Sequence, residues 1–289
     1  MSDTITYQRL EEKIVAIQIE VTNACPLADC AECAWRFMSR KIGHMNFDLA
    51  KTIVDGAVEA FGPQINFNLN GLGEPMAYLK LPDLIRYIGQ KAPKGRVELF
   101  SSLVGNKERI KAVCQALAEI PNNVLFATTA HFRDDKGDIL EQTVKNFQFE
   151  TVYEILGNNP RIDLHCATNV SKFTTQDDIK LFRSIFEGPL PKEKVHVIER
   201  LDNWLELIRP FAVSCSDVES PAVCDYPYRV LHVGWDGICL ICCTDDVNGE
   251  LPIGEIKQKS DVKDIWFSPL MEQLRERHNN LDVKGLSPC

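Results

Sequence analysis

The chain has 289 residues, a formal net charge of −9, 45% apolar residues and 25% charged ones. That length and balance suit a soluble globular protein, either one large α/β domain or a main domain with an appendage. The acidic balance argues against a nucleic-acid partner. No stretch nears the roughly 20 apolar residues of a membrane span, and charges are scattered where a secretion signal needs an apolar run, so a cytoplasmic protein with no membrane partner is expected.

Strand and helix alternate along the sequence. "IVAIQIEV" (14–21) reads as a buried strand ending just before a cysteine-rich loop. A helix is predicted over 47–61, capped by Asn46 and stopped by Gly62-Pro63. Strand "INFNLN" (65–70) follows, then a helix opened by Pro82, strand "RVELFS" (96–101), and a helix carrying Cys114 on an apolar face. Cys114 there reads as a small buried hydrophobe. Next come strand "NVLFATT" (123–129), a helix near 138–148, strand "IDLHCAT" (162–168), a helix over 175–186, and strand "KVHVIE" (194–199). Six such alternations predict an α/β fold, a partial (β/α)6 TIM-like barrel with right-handed crossovers, whose site residues gather at the strand C-terminal ends. After Pro210 the pattern changes. A β-hairpin is expected with its turn at Trp235-Asp236-Gly237, then a last helix over about 262–279 that Ser268-Pro269 would start or restart. The expected division is a barrel over 1–212 and a small hairpin-plus-helix extension over 213–289.

The chain holds 11 cysteines, which in a reducing compartment point to metal or redox chemistry. "NACPLADCAECAWRF" (23–37) places Cys25, Cys30 and Cys33 on one loop with no fourth cysteine nearby. Thiolates suit iron–sulfur clusters, zinc or copper. Structural zinc wants four protein ligands, whereas a [4Fe–4S] cluster held by three cysteines leaves one iron open to a ligand. The basic run "RFMSRK" beside the loop reads as a solvated segment.

With Thr22 before it, the loop "TNACPLADCAEC" resembles that of the radical S-adenosylmethionine (radical SAM) enzymes. Their usual CxxxCxxC spacing is here lengthened by one residue, and Glu32 stands where an aromatic residue is common. One βα unit later, Gly71-Leu72-Gly73-Glu74-Pro75 is similar to the family's GGEP motif. The resemblance implies that this segment binds the amino group of SAM. Physically, Gly71 and Gly73 allow close backbone approach, and the Glu74 carboxylate complements an ammonium. It also implies that Ser101, Ser102 and Asn106 after the third strand edge the SAM site at the ribose, and that the strand end at 198–204 closes the adenosine side. A reduced cluster would split SAM into methionine and a 5′-deoxyadenosyl radical that abstracts hydrogen from a substrate. An electron donor such as flavodoxin or ferredoxin is implied.

A second cysteine group comprises Cys224, Cys239, Cys242, Cys243 and Cys289. Its opening, Cys224 through Gly237 to Cys242, resembles the SPASM extension of the same family. Because the chain ends at Cys289, the match is to the shortened "twitch" version, which implies one auxiliary [4Fe–4S] cluster on Cys224, Cys242 and Cys289. The fourth ligand is expected to be Cys243, with Cys239 and Cys215 as alternatives. A zinc site stays open for this group.

Cys166, on the fifth strand, becomes a candidate hydrogen-atom donor if its side chain points inward; otherwise it is a small buried residue. The six histidines show no ligand spacing, and only His131 and His165 are singled out, as residues of strand ends. The implied activity is hydrogen abstraction from a small polar metabolite, sugar- or aminocyclitol-like, leading to oxidation or epimerisation. A maturase of a ribosomal peptide or protein is the alternative, and a non-enzymatic zinc scaffold the rival from another class.

Overall fold

The computed structural model describes residues 13–27, 30–31, 33–140, 148–198, 200–201, 214–215, 226–242, 247–280 and 282. Six parallel strands stand side by side in chain order: β1 (Ala16–Ile19), β2 (Asn66–Asn68), β3 (Arg96–Ser101), β4 (Asn123–Ala130), β5 (Ile162–Asn169) and β6 (Val195–Ile198). Between them run α1 (Phe47–Phe61), α2 (Leu81–Lys91), α3 (Lys107–Glu119), α4 (Phe149–Leu156) and α5 (Gln176–Phe186). Asn46 caps α1 by accepting from the Asp48 and Leu49 amides, and a reciprocal Thr175–Asp178 capping box starts α5. The predicted partial barrel is therefore present.

The helix expected near 138–148 falls mostly on residues 141–147, which lie outside the described ones. Ahead of them Ile139 forms a β-bridge with Arg133, and the Asp134 carboxylate accepts from the Lys136 and Asp138 amides at 2.9 and 2.8 Å, closing a turn.

Beyond a short parallel pair, β7 (Arg200–Leu201) and β8 (Ser214–Cys215), one helical turn, α6 (Tyr226–Arg229), leads into the hairpin β9 (Val230–Val233) and β10 (Ile238–Leu240). Its turn lies at the expected residues, and Gly237 takes φ 90°, which a side chain would disfavour. Strand β11 (Pro252–Glu255) and helices α7 (Lys259–Trp266) and α8 (Pro269–Asn279) follow, the break between the helices falling at the expected Ser268-Pro269. The sequence reading gave β9 as a hairpin arm but not its place in the sheet. It runs parallel beside β1, so the nine-stranded sheet has the order β11-β10-β9-β1-β2-β3-β4-β5-β6, and it is open, since β6 and β11 do not pair. The hairpin thus covers the β1 edge, whose amides and carbonyls would otherwise be unpaired. One core cluster runs from Ile53 and Leu84 through Phe126 to Leu231, Ile265 and Trp266.

The two faces of the sheet differ. Val97, Leu99, Val124, Phe126, Leu164 and Cys166 belong to the buried core under the helices. Their neighbours on the opposite face are mostly polar or small, Gln18, Asn68, Glu98, Ala127, Thr129, His165 and Ala167, with Phe100 and Leu125 as the large apolar ones. That polar, concave face is the one that positions the site.

Candidate functional site

At the C-terminal ends of β1–β5 a cavity of about 230 Å3 is bordered by Cys25, Cys30, Cys33, Gly71, Gly73, Glu74, Ser101 and Ser102. Phe100, Thr129, His131 and Asn169 complete its wall. Eight residues singled out from the sequence for cluster or SAM binding therefore share one cavity, together with His131.

The cysteine loop is fixed by its own bonds. The Cys30 thiol donates to the Leu27 carbonyl at 3.0 Å, and the Cys33 sulfur accepts from the Trp35 amide at 3.4 Å, capping a 3-10 turn over Ala34–Phe37. The Trp35 indole N–H donates to the Asn23 carbonyl at 2.6 Å. On its other side the loop pairs with the segment after β4, through a bridge of Cys30 to Asp134 and the Ala31 amide on the Arg133 carbonyl. Burial, with the Glu74 charge adding to it, pushes the Cys25 thiol up to about 12. Such a thiol becomes a thiolate only when a cationic centre compensates for the burial.

The donor set fits an iron–sulfur cluster better than one ion. Among the described residues no three His, Cys, Asp or Glu side chains converge on a single metal ion, yet three thiols border one cavity. Thiols spaced around a cavity suit a cluster of several metal atoms, each bound by one thiolate.

Glu74 is buried, at 4% exposed, and both carboxylate oxygens are occupied. Oε1 accepts from Ser101 Oγ at 2.7 Å and the Met76 amide at 3.0 Å. Oε2 accepts from the Ser102 amide at 2.7 Å and Ser102 Oγ at 2.6 Å. The expectation that this carboxylate meets an ammonium directly is thereby revised. It organises Ser101 and Ser102 instead, and an incoming ammonium would meet main-chain carbonyls or displace one of these donors. The loop also lies against the cysteine loop. A Cβ on Gly73 would stand 2.2 Å from the Thr22 carbonyl oxygen and 2.6 Å from Asn23 Cα, so only glycine fits.

Two predicted site residues stand elsewhere. Asn106 accepts from the Arg109 amide as the cap of α3 and borders a separate cavity, beside Cys25, Met76 and Arg109. Cys166 is fully buried in the core under the helices, where burial raises its thiol strongly. It shares the buried parity of Leu164 and Thr168 on β5, while Asn169, of the opposite parity, reaches the cavity. The inward orientation that a hydrogen donor needs is absent, because a strand turns alternate side chains to opposite faces.

In the extension, Cys242 is half-buried just after β10, and Cys239 is fully buried in the core. Cys224, Cys243 and Cys289, and the side chain of Cys215, lie outside the described residues.

Sequence reasoning missed Glu20. Its carboxylate is buried, ion-paired with Arg40 at 2.9 Å, and accepts from the Leu72 amide at 3.1 Å, tying β1 to the glycine loop. The signal was the alternation in "IQIE": a carboxylate at a strand end otherwise read as buried needs a partner. The pairing of His165 with His196, 3.0 Å between ring nitrogens, was missed as well.

Residues 224–289 match the iron–sulfur cluster-binding domain SPASM. No curated protein matches the chain in sequence. Among solved structures, BtrN in complex with AdoMet and 2-DOIA is similar at 18% identity and a TM-score of 0.62, covering 94% of this chain and 90% of that one. Native anSMEcpe with bound AdoMet is similar at 14% identity and 0.58, covering 90% and 82%. SuiB of Streptococcus suis, bound to the precursor peptide SuiA, is similar at 12% and 0.59, covering 91% and 67%. In fold the chain is thus similar to these three proteins, and its residues 224–289 match the SPASM iron–sulfur cluster-binding domain.

Proposed function

We propose that the protein is a radical SAM enzyme that abstracts hydrogen from a small polar metabolite, for oxidation or epimerisation. The observation that carries the reading is the single cavity shared by three loop thiols, the glycine loop and the Ser101-Ser102 turn. Cys25, Cys30 and Cys33 would hold the cluster, and the backbone of 71–73 with Ser101 and Ser102 would hold SAM. When bound, the cluster and SAM supply a hydrogen-abstracting deoxyadenosyl radical. The chain's own part is orientation and exclusion of water: Glu74 fixes the serines, and Gly73 lets the two loops touch.

The polar inner face of the sheet favours a small hydroxyl-bearing substrate, as does the similarity to BtrN, whose structure holds 2-DOIA. The similarity to SuiB, whose structure holds a precursor peptide, supports the peptide reading as the second one. An auxiliary cluster on Cys224, Cys242 and Cys289, with Cys243 as fourth ligand, belongs to this proposal, as does a division of the chain near 212–220. Among the described residues no helix is long and apolar enough to cross a membrane.

The test is anaerobic purification followed by incubation with SAM and a reductant. Brown, iron-loaded protein that forms 5′-deoxyadenosine is expected, with that product lost when Cys25, Cys30 and Cys33 are changed to alanine. Colourless, zinc-loaded protein, or cleavage that survives the triple change, would overturn the reading. Mass spectrometry of small-molecule extracts and of candidate peptides under the same conditions separates the two substrate classes.

A further inference from the structure

The inner face of the sheet continues past the cavity toward β6. Register places Phe100, Ala127 and His165 on one level of β3, β4 and β5. One level higher, Thr129, Ala167 and His196 align on β4, β5 and β6. Phe100 and Thr129 line the cavity. Each imidazole therefore stands two strands, about 10 Å, from a cavity residue, with only an alanine between them.

The two histidines are joined to each other and anchored. His165 Nδ1 lies 3.0 Å from His196 Nε2, and His165 Nε2 lies 3.0 Å from Asp163 Oδ1. The ring planes differ by 10° and the centroids are 5.3 Å apart, the geometry of two imidazoles joined edge to edge by one in-plane hydrogen bond. Lys194 also bonds Asp163 Oδ1, and this bond, with the proximity of His165, holds the carboxyl below the usual carboxylate range. An ionised carboxylate only accepts, so His165 carries a proton on Nε2, and as a neutral imidazole it presents a lone pair at Nδ1. In that neutral arrangement His196 donates from Nε2, which leaves its Nδ1 as an acceptor. His196 is exposed.

We propose that His196, oriented by His165 and Asp163, is the substrate-hydroxyl acceptor of this chamber, taking a hydrogen bond and then a proton from an O–H of a small polyol-like substrate. In the transfer the O–H bond breaks, its electron pair stays on oxygen, and the proton bonds to His196 Nδ1. The imidazolium so formed keeps its Nε2–H bond to His165, whose own N–H faces the Asp163 carboxylate. His165 and Asp163 are positioning residues in this scheme. The inference rests on the small-polar-substrate reading above.

The test uses the full, cluster-loaded chain with SAM under anaerobic conditions and nitrogen-15-labelled histidine. In the wild type, His196 should be neutral with its proton on Nε2, and Asp163→Asn should redistribute that proton between the two nitrogens. Added myo-inositol or glucosamine should move the His196 Nδ1 resonance, and His196→Ala should weaken binding of the same probes up to about tenfold, the scale of one hydrogen bond. An Nδ1-protonated His196, a resonance unmoved by both probes, or equal binding by His196→Ala overturns the inference. Formation of 5′-deoxyadenosine is followed in the same samples. If it persists while His196 is silent, this inference fails alone; if the wild type forms none, the radical reading fails.

Discussion

Arg40 grips Glu20 with both prongs, Nη1 at 2.9 Å from Oε1 and Nη2 at 3.0 Å from Oε2. The same guanidinium donates through Nε to the Val247 carbonyl at 3.0 Å, and Glu20 receives the Leu72 amide. One ion pair thus ties together the start of the barrel, the glycine loop and the segment that follows Cys242. The neighbouring Ser39 reinforces the link, its amide and hydroxyl both donating to Asn248 Oδ1.

Removing one member of such a pair leaves a buried charge uncompensated. Arg40→Met should therefore destabilise the protein by about 3–5 kcal/mol, lowering the melting temperature by on the order of ten degrees. The double change Glu20→Gln with Arg40→Met should recover most of this loss, because no lone charge is then left buried. Thermal unfolding of the single and double variants checks both statements. An unchanged melting point for Arg40→Met would mean that solvent already satisfies Glu20.

Gly73→Ala should disable the site at its base. Its Cβ would meet main-chain atoms of Thr22 and Asn23, which can move only by displacing the cysteine loop. Iron retained per chain after anaerobic reconstitution should fall severalfold, with the helical content kept. Glu74→Gln is subtler: its amide NH2 would face hydrogen-bond donors on one side, so iron loading should persist while SAM affinity, read by calorimetry, falls about tenfold. Full iron loading in Gly73→Ala would show that the two loops do not need their close contact.

The local parts of this arrangement were legible in the sequence. Strands such as "RVELFS" and "NVLFATT", the Asn46 cap and the Trp235-Asp236-Gly237 turn carry their signals within a few residues, and each lies where it was expected. The cysteine loop and the glycine loop were readable for the same reason, as motifs in fixed order. What stayed hidden depends on pairing between distant segments. Nothing in "RVLHVGWDGICL" says that it adds to the β1 edge, and the side on which Cys166 lies follows only from the phase of β5 against the helices.

Cys166→Ala tests that phase. With its thiol in the core and no access to the cavity, the change should cost about 1 kcal/mol of stability, the scale of deleting one small buried group. The ratio of product to 5′-deoxyadenosine should match the wild type. Product lost while 5′-deoxyadenosine continues to form would instead assign Cys166 the hydrogen donation.

The pair of Arg133 and Asp178 connects pH to the cysteine loop. Arg133 Nε and Nη2 lie 2.9 Å from the two Asp178 oxygens, with both side chains largely buried. The Arg133 carbonyl receives the Ala31 amide, so the pair anchors the strand-end segment against which Cys30 is bridged. Burial alone would raise the Asp178 carboxyl, but the bonds from Arg133 and Thr175 outweigh it and hold it below the usual range. A carboxyl held low in the folded protein adds stability that is complete above its ordinary pKa of about 3.9 and lost as pH falls through the lower folded value. Arg133→Met should therefore be less stable than the wild type by a constant amount between about pH 5 and pH 7. The gap should narrow below about pH 4, as Asp178 becomes protonated in the wild type too. Denaturant unfolding of both proteins across that range measures the gap. If it keeps the same size down to the acid limit, Asp178 takes up no proton linked to folding, and the cysteine loop is held by the backbone bonds from Cys30 and Ala31 alone.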